Sequence, residues 1–227
     1  MTHTVVEGDS IPSIAFAAGL FPDTIWNHAE NEQLKELRQD MNILFPGDQV
    51  YVPDKEKKIV TRAIDNKYKF VRKGVPCKLR LQLFNVETPR ANQDYELVIG
   101  ATTYKGTTDA NGVLEEFVPP DATEGKLTIG EDGAVFALKL GHMDPLGELA
   151  GIQNRLANLG YECGRFSAHA GDLDGKMDDA TRSALLSFQR RFQLEETGEL
   201  DNATKALLDR YHDKNGLFDP DPWLVEA

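Results

Sequence analysis

The hydrophobic period changes along this chain, and that change limits what the chain can fold into. From Lys78 to Leu83 leucine alternates with polar residues, and Tyr95, Leu97 and Ile99 repeat the pattern. Such alternation puts one row of side chains on each face of a strand. After about residue 147 the spacing becomes helical. Leu149, Ile152, Leu156 and Leu159 share one face, Ala184, Leu185, Phe188 and Phe192 another, and Leu207, Leu208 and Tyr211 a third. A single-layer domain cannot satisfy both periods, so the chain reads as a multidomain α+β protein.

Before the alternating stretch, residues 1–54 read as strand, helix, helix, strand. Thr4-Val5-Val6 is β-prone. Ser10 is placed to cap a first helix with Pro12 in its first turn, and Gly19 is placed to stop it. Asp23 is expected to cap a second helix through Ile25, Trp26 and Ala29, ending near Asn31. Pro46-Gly47-Asp48 is a turn into a closing strand, Gln49 to Val52. The charged run Asp54 to Lys58 marks a linker over residues 55–59. Residues 60–141 hold six to seven short strands, as in a small antiparallel β-sandwich. Residues 142–214 form three helices joined by glycine-bearing loops, and 215–227 a tail carrying Trp223.

The helical part contains an echo. Asp178-Asp179-Ala180-Thr181-Arg182 matches Asp201-Asn202-Ala203-Thr204-Lys205. In each copy an aspartate stands at a helix start, where it satisfies free N–H groups. This is a structural repeat and does not by itself indicate a binding site.

Charge narrows the partners. Residues 1–58 carry a net −5, 59–141 are neutral, and 142–227 carry −7. Acidic outer modules repel nucleic acid and anionic lipid, whereas uncharged or weakly charged glycans stay open. The longest apolar stretch, Ile11 to Pro22, is interrupted and too short to span a bilayer. Cys77 and Cys163 fall in different modules and are expected to be free thiols.

Catalytic and metal chemistry find little support. None of the five histidines belongs to a His-x-x-x-His motif, and no Gly-x-Ser-x-Gly, Walker or dinucleotide fingerprint occurs. His142 with Asp144, or Cys163 and His169 with Asp172 and Asp174, are the candidate metal groups. The first supplies too few ligands for zinc, and the second is a loop expected in a metal-free helical module. Glu115 and Glu116 alternate faces on a strand, so they cannot act on one bond. The expectation is a non-enzymatic protein without metal or cofactor.

Three resemblances sharpen this reading. The stretch Val5-Val6-Glu7-Gly8-Asp9-Ser10-Ile11, with Ile14-Ala15 and Asn42-Ile43-Leu44-Phe45-Pro46-Gly47-Asp48 leading to Val50-Tyr51-Val52-Pro53, resembles a LysM module. Glu32 to Met41 is an insert relative to a minimal LysM. The resemblance implies a βααβ fold and binding of N-acetylglucosamine polymers between two loops, Gly8, Asp9, Ser10, Ile11, Pro12 and Asn42, Ile43, Leu44, Phe45. There an acetamide needs backbone partners and an apolar contact, from Ile11, Ile43 or Leu44.

Ile152-Gln153, Leu159-Gly160-Tyr161, Gly171 to Gly175, Thr181, Phe188-Gln189, Thr197-Gly198 and Leu200-Asp201 with Thr204 resemble the three-helix peptidoglycan-binding domain. That likeness implies glycan contacts from Tyr161, Asp174 and Gln189, and departs from the family at Met177-Asp178. Gly106 to Gly112 resembles a turn of immunoglobulin-like and carboxypeptidase-regulatory-like sandwiches, which implies a spacer.

The order of the modules, with Asn31 to Asp48 and the linker Leu140 to Pro145, resembles accessory proteins of type VI secretion and related contractile injection machines. The start, Met1 to Asp9, has no basic n-region. Taken together these imply synthesis in the cytoplasm and delivery to the periplasm or exterior by such a machine. The implied partners are peptidoglycan strands and a spike, tube or effector protein. The alternative is an adaptor that docks such a protein without binding glycan.

Overall fold

The computed structural model describes residues 1–55, 61, 66–67, 77–85, 88–163 and 175–214. The front module pairs β1 (Thr2–Thr4) with β2 (Gln49–Tyr51) antiparallel, Thr2 opposite Tyr51. Between them run α1 (Ile11–Ala18), α2 (Pro22–Trp26), a 3-10 turn (Ala29–Asn31) and α3 (Glu32–Arg38). The start of α1 is as expected: Ser10 and Ser13 form a reciprocal capping box, and Gly19 ends the helix at φ 64°.

The start of α2 differs from expectation. Pro22 takes the first helical position, so Phe21 becomes the cap, with no side-chain hydrogen bond, and Asp23 lies inside the first turn. This helix ends at Trp26, and the chain reaches Asn31 through the 3-10 turn, which His28 caps. The insert itself supplies α3. The core of this module gathers Val5, Ile11, Ile14, Ala15, Ile25, Trp26, Leu34, Leu44, Val50 and Val52. Buried Asn31 locks the closing strand: its amide donates to the carbonyls of Ile25 and Tyr51, both at 2.8 Å, and accepts from the Tyr51 N–H at 2.7 Å.

The middle module holds β3 (Cys77–Gln82), β4 (Phe84–Asn85), β5 (Thr88–Pro89), β6 (Asp94–Ile99), β7 (Thr102–Thr107), β8 (Val113–Val118), β9 (Glu124–Ile129) and β10 (Ala134–Lys139). One antiparallel sheet has the order β10-β9-β6-β7, and β3 pairs with β8 in a second ladder. Leu79, Leu81 and Leu83 pack against the same core as Tyr95, Leu97, Ile99, Leu114 and Leu127. Two ladders around one core form a layered β module, as the alternation requires. The turn before β8 is built by Asp109, whose carboxylate accepts the N–H groups of Asn111 (2.8 Å) and Val113 (2.9 Å).

The back module contains α4 (Leu149–Asn158), α5 (Asp179–Arg191), α6 (Asn202–Leu208) and a closing π-helical turn (Asp209–Asp213). Ile152, Leu156, Leu185, Phe188 and Leu208 are fully buried between them. Cys77 and Cys163 are free thiols, and burial with the charge of Asp178 pushes the Cys163 thiol up to about 12. Trp223 and the tail lie outside the described residues, as do most of the linker, His169, Asp172 and Asp174.

Candidate functional site

The two front loops meet directly: the Ile11 N–H donates to the Met41 carbonyl at 2.9 Å. The first loop is shaped by Asp9, whose carboxylate bonds to His3 Nε2 at 2.8 Å and accepts the Val6 N–H at 3.0 Å. Ser10 is spent on the helix cap. Ile11, Pro12 and Leu44 face the core and are sealed from solvent. That placement corrects the idea that Ile11 or Leu44 supplies an apolar ligand contact, because closing a small core consumes both side chains. Gly8, Asp9, Ile43 and Phe45 are half-buried and Asn42 is exposed, so of the three apolar side chains expected at the site only Ile43 reaches the surface.

The second loop is stiffened from below. Arg38 donates to both oxygens of Asp48 at 2.7 and 2.8 Å, and Asp48 also accepts the Phe45 N–H at 2.9 Å. Burial alone would raise the Asp48 carboxyl, but the hydrogen bonds and charge of Arg38 outweigh it and hold the group below the ordinary range. The Arg38 guanidinium also lies 5.5 Å from the centre of the Phe45 ring. Thus the insert carries a residue that braces one wall.

The first wall is covered on one side. A Cβ at Gly8 would lie 3.6 Å from His142 Nε2 and 3.7 Å from Thr123 Cγ2. A Cβ at Gly141 would lie 2.7 Å from the Gly8 carbonyl oxygen. His142 Nδ1 lies 3.1 Å from Glu7 Oε1. The linker that leads into the back module therefore docks on the front loop.

In the back module the repeat proves to be three-dimensional. Gln153 donates to the Lys176 carbonyl (3.0 Å) and Thr181 Oγ1 (2.9 Å), and accepts the Gly175 N–H (3.1 Å). Gln189 donates to Thr197 Oγ1 (3.0 Å), the Glu199 carbonyl (2.9 Å) and Thr204 Oγ1 (3.1 Å), and accepts the Gly198 N–H (2.8 Å). Asp178 and Asp201 accept the N–H of Thr181 and Thr204, both at 2.7 Å. Each buried amide pins the loop ahead of the next helix. Gln189 is therefore not placed to touch a glycan: it is fully buried and its amide hydrogens are spent inside the fold. Tyr161 is half-buried, its ring edge-on to Phe188 with centroids 5.8 Å apart.

Sequence reasoning assigned no role to Arg155. Its fully buried guanidinium donates to both carboxylate oxygens of Asp213 at 2.8 to 3.1 Å and to the carbonyls of Asp144 and Gly151, each at 2.8 Å. Neighbouring Asp144 is raised by burial and by the charges of Glu7 and Glu148, against Arg155 and His142. Among the described residues, no group of three or more His, Cys, Asp or Glu side chains is placed to hold a metal ion. No described helix is long and apolar enough to cross a membrane.

Residues 147–208, spanning α4 to α6, match the family model described as "Putative peptidoglycan binding domain". The three-helix fold and the pinned repeat lie within this match. No curated protein and no solved structure matches the chain.

Proposed function

We propose that this protein is a non-catalytic binder of peptidoglycan, held by the back module and assisted by a LysM-type front module. The observation that carries the reading is the family match over residues 147–208, laid on a folded three-helix unit. The front module supports it with two antiparallel terminal strands that enclose α1, α2 and the added α3, and with two loops that leave Asn42 exposed and Ile43 and Phe45 half-buried. Purified sacculi supply the test. The full chain should pellet with them and release no soluble muropeptides, and Ile43→Asp should weaken binding roughly tenfold, about 1.4 kcal/mol, without unfolding. Failure to pellet above a buffer control would overturn the binding reading, and muropeptide release would overturn the non-catalytic one.

A second reading starts from the docked linker, which covers one side of the loop that would face glycan. With Gly8 faced by Gly141 and His142, the front module is held against the rest of the chain. It would then act as an adaptor for a spike, tube or effector protein. Association with a contractile injection machine, and delivery by it, belong to this proposal and rest on the order of the modules. Copurification with such components, without sacculus binding, would favour the adaptor.

A further inference from the structure

The last strand of the four-stranded sheet, β10, pairs only with β9 among the described residues. Its outer edge is unusual. Strand β10 carries no proline and no bulge, keeps register with β9 over six residue pairs, and is apolar from Ala134 to Leu138, with its one charge, Lys139, at the last position. Edge strands normally carry such features, because free N–H and C=O groups recruit other strands. The opposite edge is more polar: β7 contains three threonines, a glycine and Lys105, which pairs with Glu96 at 2.7 Å.

Exposure singles out the same strand. Register places Ala134, Phe136 and Leu138 on the core face, opposite Ile129, Leu127 and Gly125. Phe136 stays 37% exposed, and among the described residues no strand covers its flank. On the outer face Val135 is 56% exposed and Ala137 is also exposed.

We infer that β10 is a dimerisation edge, on which a second copy of this chain adds its own β10 antiparallel about a two-fold axis at Phe136. The strand is self-complementary in this register. On the outer face Val135 meets Ala137 of the copy, twice. On the core face Ala134 meets Leu138 twice and the two Phe136 rings meet each other, so large residues face small ones and the two cores join. Charge agrees as well. Lys139 falls opposite Gly133 of the copy, beside Asp132, an exposed carboxylate held low by Arg90. A one-residue slip would set core-facing side chains against outward ones, so the register is specified. One strand pair buries less than a standard stable interface, so the dimer should be weak and reversible.

Sedimentation equilibrium up to several hundred micromolar tests this on the full chain. Wild type should move from chain mass toward twice that mass as concentration rises. In V135E/A137E each introduced glutamate faces a glutamate of the copy, and the dimer should be lost. In V135K/A137E each introduced lysine faces a glutamate, and the dimer should return. Both variants carry the same A137E change opposite Lys126 of β9, so they differ by one outward side chain. Circular dichroism and melting temperature confirm that each folds. A wild type that stays monomeric throughout would overturn the inference, as would equal dimerisation of the two variants.

Discussion

Gln153 and Gln189 show how one side chain can be read two ways. In sequence, Gln189, within a resemblance to a binding domain, reads as a ligand contact, while Gln153 only carries that resemblance. In the fold, each is a completely buried amide that ties a loop glycine to a helix threonine. The caps at Asp178 and Asp201 were legible because capping is local and has its own residue preferences. The amides were not, because their partners arrive from later in the chain. The spacing Gly175, Asp178, Thr181 and Gly198, Asp201, Thr204 was nevertheless visible. Gln189→Leu is therefore expected to destabilise the back module by about 2–4 kcal/mol, since it strands the buried Gly198 N–H and other polar groups. Urea unfolding of the full chain measures this. A variant of wild-type stability that lost sacculus binding would show a ligand contact instead. Gln153→Leu should behave like Gln189→Leu, as the second copy of the same pin.

Among the elements, the long amphipathic helices and alternating strands were legible and the short connections were not. The insert over residues 32–41 becomes α3 because Leu34 reaches the core while Arg38 reaches Asp48. A seven-residue helix has too weak a period to announce itself. The π-helical turn at residues 209–213 was missed for a related reason: a long-range pair sets its place. It holds Asp213 against Arg155, on the first helix of the module. Burial would raise the Asp213 carboxyl, but hydrogen bonds from His212 and Arg155, with their charges, outweigh this and hold it low. A carboxyl lowered by folding stabilises the fold above its unfolded value, near 3.8, and that contribution fades as pH falls toward the folded value. Asp213→Asn should cost about 3 kcal/mol at neutral pH, because it leaves Arg155 buried without a counter-charge. Below about pH 4 the gap between wild type and variant should narrow. Thermal melts across pH measure both, and parallel profiles would count against the pair as the cause. Asp178 and Asp201, lowered by their cap bonds, share this sign and steepen the acid limb in both proteins.

Across the whole chain, two hydrophobic periods and the cap and turn residues of the first 54 positions foretell three modules but say nothing of how they meet. That arrangement rests on a few close approaches. Gly8 at φ 90° faces Gly141 at φ 76°, both in backbone conformations that favour glycine. Glu7 reaches His142, and Arg155 holds the Asp144 carbonyl, so the linker is tied to the front and back modules within a few residues. The contact matters for function because Gly8 belongs to the loop that a LysM-type module would offer to glycan. Gly141→Val should break the junction: its Cβ would lie 2.7 Å from the Gly8 carbonyl oxygen, and a β-branched residue is strained at this φ. We expect a penalty of about 2 kcal/mol or more, confined to the docking of the modules. Hydrogen exchange of residues 7–10 should quicken and proteolysis should reach residues 140–148, while the cores of the front and back modules keep their protection. Gly147→Ala is the control, because a Cβ there meets no atom within 4 Å. If Gly141→Val also raises affinity for N-acetylglucosamine oligomers, the docked linker restrains the front loop. If affinity is unchanged while the junction opens, glycan does not use the face that Gly141 covers.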